Sequence, residues 1–291
     1  MVRSHSSPLE RISKPMSRKT SLTRRQFLLQ SGGALAAAGT GIFVGNHLFA
    51  NPVEIAAKIE SAPQSHPLVP ALREGTAALE ALTNVKNYVA NFIKKELVGR
   101  KFIEHQMAMK LREEPFSVYL KFLKPHTGRE VLYVDGQNKN MLKVCDVSFA
   151  ASLVGTLDLD PKGSYAMDEN RHPITEIGMR FMAATVLEQW LAETKIQGLT
   201  VNFYPNARIG ERSCKAIEST HSDPRLGGKY QMTRLYIDEG TGFPVRAQQY
   251  GWPSRPNGRP PLIEDYLYTN VQTNVDLTDM DFNPKNPQYR F

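Results

Sequence analysis

The sequence has few of the residue patterns on which catalytic and metal-binding motifs depend. It has only two cysteines, Cys145 and Cys214, and no pair of cysteines or histidines stands at the short spacing typical of a zinc site. It also has no nucleophile-elbow serine, no dinucleotide-binding glycine pattern and no phosphate-binding loop. The sequence therefore predicts no catalytic residue, no metal ion and no cofactor, and it favours a protein that is not an enzyme.

Two sets of residues leave alternatives open. His172 follows Asp168 and Glu169 closely, which is the best local cluster for a metal, but it stands just before Pro173 and is interpreted as part of a helix start. Cys145 and Cys214 either form a disulfide outside the cytoplasm or remain buried thiols. The sequence alone does not choose between these.

Long hydrophobic runs are also scarce, because after residue 50 no uncharged apolar run approaches the about 20 residues of a membrane helix. Within the first 50 residues, Arg24 and Arg25 precede Phe27 and Leu28, and residues 27–50 carry no charged side chain. This pattern is typical of a twin-arginine (Tat) signal peptide. We therefore expect residues 1–50 to engage the Tat translocase and direct export to the periplasm, or to anchor the protein in the membrane if they are not cleaved.

The positive charge of the chain lies mostly in this leader. The whole chain has a net charge of +7, from 36 Lys and Arg against 29 Asp and Glu. Residues 1–50 hold seven of the basic residues and only one acidic residue, so the remainder has a net charge of +1. A global basic surface is thus missing from the mature protein, and nucleic acid is not an expected partner.

The remaining residues predict an α+β fold. A proline-bearing linker at 51–70 precedes a single domain at 71–291, in which helical spacing of apolar residues predicts helices at 70–83 and 174–194. The second of these is apolar around most of its circumference, which indicates burial. Alternation of apolar and polar residues predicts antiparallel strands at 86–98, 102–112, 116–123, 130–135, 141–146, 152–160, 199–204, 211–219, 230–238, 244–251 and 262–273.

Several segments resemble an uncharacterised bacterial family of exported proteins, the domain of unknown function numbered fifteen seventy-one. They are residues 109–121, 128–133, 171–174 and 274–291, the last of which includes Asp-Phe-Asn-Pro at 281–284. The order of elements more distantly resembles the LolA/LolB lipoprotein-carrier superfamily and the periplasmic sensor RseB. This resemblance implies a strongly curved antiparallel sheet, an incomplete barrel, with helices covering its concave face and a cavity for acyl chains.

Apolar residues on the predicted concave face and the long helix are the expected cavity lining, although the same residues could fill a solid core. They are Met107, Met109, Leu111, Phe116, Val118, Leu120, Phe122, Met179, Phe181, Met182 and Trp190. Arg112, Arg129 and Arg171 are candidates for a rim that meets an anionic headgroup.

These expectations favour an exported, non-enzymatic binding protein or carrier for a lipid, a lipoprotein acyl chain or another amphiphile in the periplasm or cell envelope. Two alternatives remain: a Tat-exported enzyme of unknown reaction, and an RseB-like sensor that acts through contact with an envelope protein. An enzyme should show polar side chains converging in the pocket. A carrier should show an apolar cavity without them.

Overall fold

One antiparallel sheet of eleven strands carries the fold in this computed structural model, which describes residues 52–147, 155–255 and 258–291. The predicted signal peptide at residues 1–50 lies outside the described residues. The strands are β1 (Asn87–Val98), β2 (Lys101–Arg112), β3 (Ser117–Lys124), β4 (Glu130–Val134), β5 (Leu142–Cys145), β6 (Leu157–Leu159), β7 (Leu199–Ile209), β8 (Arg212–His221), β9 (Met232–Asp238), β10 (Pro244–Tyr250) and β11 (Leu262–Thr273).

The sheet is open and joins two meanders, one from each half of the chain. Its order is β6-β5-β4-β3-β2-β1-β11-β10-β9-β8-β7, so the first strand pairs with the last at the centre. In that register Phe92 of β1 lies opposite Met107 of β2 on one side and Tyr268 of β11 on the other. Buried residues alternate along β1 and β2, as the sequence pattern predicts for a sheet with one covered face.

The described residues form four helices, α1 (Pro52–Glu60), α2 (Leu68–Ala81), α3 (Ser164–Met167) and α4 (Met179–Glu193), of which α2 and α4 pack against β9 and β10. A Cβ at Gly75 of α2 would lie 2.5 Å from the Leu187 side chain of α4, so the absence of a side chain lets these two helices approach closely. Ile55 and Ile59 of α1 are buried in the main core. The packed domain therefore includes part of the segment that was expected to be a linker.

The long helix starts later than the sequence predicted. Residues 174–176 form a single 3-10 turn, and Gly178 has a φ of 116°, which lies outside the helical region. The chain therefore changes direction at Gly178, and α4 begins at Met179. In contrast, β7 runs beyond its predicted end and through Pro205, which an edge strand tolerates because proline removes only one ladder donor.

The two cysteines are free thiols, which argues against the disulfide alternative, but only one of them is a buried thiol as the other alternative expects. Cys214 is buried on β8 and Cys145 is half-buried on β5. Within the described part of the chain, no helix combines the length and apolar character needed to cross a membrane.

Candidate functional site

A cavity of about 870 Å³ lies between the concave face of the sheet and the segment that runs from α3 into α4. Eight neighbouring strands contribute side chains to it, from β6 through β1 to β10 in sheet order. A flat sheet of eight strands would span about 34 Å at the usual strand spacing. The sheet must therefore curve around the cavity, as the predicted incomplete barrel requires.

Five of the eleven side chains predicted to line a cavity do so: Met107, Leu120, Phe122, Phe181 and Met182. They share the apolar part of the wall with residues that the sequence did not single out. These are Phe92, Val131, Leu142, Val144, Leu157, Leu159, Ile174 and Ile177. The ligand-binding role of all of them stays a prediction.

The other six predicted lining residues lie in packed core instead: Met109, Leu111, Phe116, Val118, Met179 and Trp190. The reason is that the start of α4 closes onto this end of β2. A Cβ at Gly178 would lie only 3.0 Å from Leu111, which leaves no space for a ligand there. Deeper along the helix, Trp190 is fully buried and donates a hydrogen bond to Ser219 Oγ at 2.9 Å.

The three predicted rim arginines are placed differently from one another. Arg129 lines the cavity. Arg171 lies beside it, with its guanidinium bonded to Glu264 and to the carbonyl oxygen of Leu97 at 2.9 Å. Arg112 is directed away from the cavity and pairs with Asp279 near the C-terminus at 2.6 Å. Its position follows from the alternation of β2, because its neighbour Leu111 points into the core.

One carboxylate, Glu264 of β11, is the centre of a polar cluster in the cavity wall. It accepts hydrogen bonds from the hydroxyls of Tyr230 at 2.6 Å and Tyr266 at 2.9 Å, and from Arg171 Nε at 3.1 Å. His172 Nε2 lies 3.1 Å from the same carboxylate. Burial alone would raise the pKa of Glu264, but the hydrogen bonds from His172 and Tyr230 and the positive charges lower it to about 2. Glu264 is therefore ionised.

A second cluster continues from the first through Tyr266. The Tyr266 hydroxyl lies 2.6 Å from Glu96 of β1, and Glu96 lies 3.0 Å from the Lys94 amine. Lys94 also donates to the side-chain oxygen of Asn170 and to the carbonyl oxygen of Glu169. Burial lowers the pKa of Lys94, while Glu96 acts in the opposite direction.

A third polar cluster lies next to the second cluster, around Arg129 in the turn between β3 and β4. Arg129 bonds Asp146 at 2.6 Å and Glu169 at 3.2 Å. His105 and His126 both approach the Glu169 carboxylate, and these three are the metal-ligating side chains that come together in the described residues. Burial and the positive charge of Lys94 lower the pKa of His105 to about 4, so this imidazole is neutral.

Sequence reasoning missed most of these polar residues, although one signal was present. Lys94 and Glu96 continue the inward-facing positions that Tyr88, Ala90 and Phe92 occupy on β1. Charged residues at positions that a strand pattern assigns to the interior indicate a buried polar site. The cavity therefore has both the apolar wall expected of a carrier and the polar convergence expected of an enzyme.

Comparison with known proteins identifies the family. The family model described as "Protein of unknown function (DUF1571)" matches residues 85–291, which confirms the resemblance seen in the sequence. No curated protein matches the chain.

The solved structures to which the chain is similar include a MucA/MucB complex, a mycobacterial lipoprotein and a LolA superfamily protein. A structure of the Pseudomonas aeruginosa MucA/MucB complex has 14% identity and a TM-score of 0.41, covering 74% of this chain and 60% of that chain. The Mycobacterium tuberculosis lipoprotein LppX has 15% identity and a TM-score of 0.40, covering 72% of this chain and 98% of that one. A LolA superfamily protein from Nitrosomonas europaea has 14% identity and a TM-score of 0.30, covering 72% and 96%.

Proposed function

The chain belongs to the DUF1571 family of proteins of unknown function, and we propose that its role is to bind an amphiphile, a lipid or a lipoprotein acyl chain, after export to the periplasm or cell envelope. One observation carries the proposal: a cavity of about 870 Å³ with an apolar wall and a polar cluster at its side. This volume falls in the range of about 300–1,000 Å³ that small-molecule sites occupy.

The apolar wall accounts for binding of the tail. Met107, Phe122, Phe181 and Met182 line it together with the leucines and valines of β3 to β6. Each methylene transferred from water to such a wall contributes about 0.8 kcal/mol, so eight methylenes contribute about 6 kcal/mol before the cost of association. Methionine side chains adapt to different tails, which fits a site of low chain-length specificity.

The polar clusters in the cavity wall account for binding of the headgroup. Arg129 lines the cavity, and its two carboxylate partners occupy only some of the five N–H donors of its guanidinium. Lys94 lines the same cavity with its amine in hydrogen bonds. A carboxylate or phosphate headgroup placed here would accept hydrogen bonds from the Arg129 N–H groups that Asp146 and Glu169 leave open. The tail would then extend along the apolar wall toward β5 and β6.

Fluorescent fatty-acid uptake by a pair of matched variants tests the proposal. Met107 and Met109 are neighbours on one face of β2, but only Met107 lines the cavity. Met107→Trp should narrow the cavity at its apolar wall and weaken uptake. Met109→Trp should overpack the core at a cost of about 1–3 kcal/mol in stability, while the folded fraction still takes up the probe. Absence of uptake by the wild type, or equal uptake by both variants, would refute amphiphile binding in this cavity.

An enzyme is the second candidate, because one observation favours it. His172 and Glu264 form a close pair beside Tyr266, and all three line the cavity. Such convergence of titratable groups is typical of catalytic sites as well as of structural networks. Native mass spectrometry of the protein from its own cell envelope, followed by organic extraction, separates the two candidates. A bound amphiphile recovered unchanged after incubation supports binding, whereas conversion to a product supports catalysis.

A further inference from the structure

Three side chains from distant parts of the chain meet at one edge of the cavity. His105 comes from β2, His126 from the turn after β3, and Glu169 from the loop after α3. His105 Nε2 lies 3.7 Å from one Glu169 carboxylate oxygen, and His126 Nε2 lies 3.5 Å from the other. The three ligand atoms are all within 4.8 Å of one another.

Of these three residues, His105 is the one whose buried ring nitrogens lack hydrogen-bond partners in the described part of the chain. The residue is 1% exposed, and among the described residues neither of its ring nitrogens has a hydrogen-bond partner. Buried imidazole nitrogens without partners are uncommon, because the lost hydrogen bonds to water cost about 1–3 kcal/mol. His105 and Glu169 both line the cavity, so a ligand can reach the unpartnered side of the ring.

The spacing of the three groups fits a metal better than it fits hydrogen bonds. Nitrogen–oxygen separations of 3.5 and 3.7 Å exceed the usual hydrogen-bond range of about 2.7–3.2 Å. Ligand atoms around a tetrahedral zinc ion, bound at about 2.0–2.2 Å, lie about 3.3–3.5 Å apart. The two distances end on different Glu169 oxygens, and the three ligand atoms lie within 4.8 Å of one another, so side-chain shifts of about an ångström would place them at the ligand positions of a tetrahedral ion.

We propose that His105, His126 and Glu169 bind a divalent transition-metal ion, with zinc as the best match. Two imidazoles and one carboxylate are a donor set that zinc uses where its fourth position stays open. Because His105 and Glu169 line the cavity, that fourth position faces the cavity and can take water or an oxygen of the bound ligand. The site is independent of whether the cavity holds an amphiphile.

Neighbouring charges do not prevent binding of a cation. Arg129 lies 3.2 Å from Glu169, but it also has a closer partner in Asp146, at 2.6 Å. Lys94 is paired with Glu96 at 3.0 Å. Arg129 contacts one carboxylate oxygen of Glu169, whereas His126 approaches the other. The second oxygen can therefore bind the metal while Arg129 keeps its position.

Calorimetric titration of the metal-free protein with zinc chloride tests the site. We expect one equivalent of zinc to bind the wild type, and His126→Ala and Glu169→Gln each to weaken binding by about a hundredfold or more. These two positions are partly exposed, so the variants should fold even if His105→Ala does not. His66→Ala serves as the control, because His66 is bonded to the Ile196 carbonyl oxygen far from the cavity.

Visible absorption of the cobalt-substituted protein gives a second readout. The wild type should show the intense bands of tetrahedral cobalt, and both His126→Ala and Glu169→Gln should lose them. Zinc binding below one equivalent in the wild type, or equal zinc affinity in the wild type and these two variants, would overturn the assignment. Neither readout uses a fatty-acid probe, so a failure here is separate from a failure of amphiphile binding.

Discussion

The hydroxyl of Tyr88 on β1 accepts a hydrogen bond from the backbone amide of Met179, the first residue of α4, at 3.1 Å. The Tyr268 hydroxyl on β11 accepts from the amide of Gly178 at the same distance. The helix has no side-chain cap of its own, so two strand residues satisfy amides that would otherwise be buried without acceptors. These bonds fix the wall of the cavity to the centre of the sheet.

Removing one of these hydroxyls should therefore destabilise the fold. We expect Tyr88→Phe to lower the free energy of unfolding by about 1–3 kcal/mol, because it leaves the buried Met179 amide without its acceptor. Urea denaturation measures this. Tyr165→Phe is the matched control, because Tyr165 is 73% exposed and the same change there should have little effect. Equal unfolding free energies for the two variants would contradict this role of Tyr88.

Tyr88 and Met179 also show where sequence reasoning stops. The bounds of β1 to β3 were predicted within one or two residues, because apolar and more polar side chains alternate along each of these strands. The start of α4 was not, because its cap comes from residues about ninety positions away. Periodicity reports which face of a strand is inward. It carries no information on which distant groups meet that face.

The residues that line the cavity could not be fully predicted from the sequence for the same reason. Met107 and Met109 have the same side-chain type and the same face of β2, yet one lines the cavity and the other is packed. The difference depends on where α4 closes onto the sheet. Glu169 meets His105 for a similar reason, since the loop after α3 is brought to β2 only by tertiary packing. Such contacts between residues distant in sequence depend on the whole fold, so no short sequence motif indicates them.

The opposite pKa shifts of Glu264 and His172 lead us to expect a pH optimum in the free energy of unfolding. The folded pKa of Glu264 is lowered from 4.5 to about 2, so its stabilisation is present above about pH 4.5 and lost as the pH falls toward 2. Burial lowers the pKa of His172, but the hydrogen bond to Glu264 and the negative charges outweigh burial and raise it above 6.5. The stabilisation from His172 is therefore present below pH 6.5 and lost as the pH rises through its folded pKa.

Urea denaturation between about pH 3 and pH 9 tests this window. The wild type should be most stable between roughly pH 4.5 and pH 6.5 as far as this pair is concerned. Glu264→Gln should lower that maximum and flatten both slopes of the stability profile. The variant has no carboxyl to titrate at position 264, and it also loses the negative charge that raises the pKa of His172. Glu54→Gln, at an exposed position on α1, should keep the wild-type profile. A Glu264→Gln profile parallel to that of the wild type would contradict the coupling.

Export through Tat remains a prediction from the sequence, since residues 1–50 lie outside the described residues. Replacing both Arg24 and Arg25 by lysine should leave the precursor in the cytoplasm, because the paired arginines are the recognition feature of the signal. Cell fractionation and immunoblotting measure this. A charge-preserving exchange of Arg18 and Lys19 is the control and should not change export. Normal appearance of the lysine variant in the envelope would refute the Tat route.

The buried ion pair of Lys94 and Glu96 gives the last prediction. Their side chains are 9% and 1% exposed, and the Lys94 amine lies 3.0 Å from the Glu96 carboxylate. Taking either partner away leaves a charge in a site closed to most water. We therefore expect Lys94→Met and Glu96→Leu each to cost about 3–5 kcal/mol in unfolding free energy.

The double variant separates a structural pair from a set of independent polar groups. Because it removes both charges together, we expect it to cost much less than the sum of the single variants, by about 2 kcal/mol or more in a double-mutant cycle. Asn170 and Tyr266 would lose bonds in the double variant, so some loss of stability should remain. If the costs of the single variants simply add, the attraction between Lys94 and Glu96 is not what keeps these two charges at the wall of the cavity.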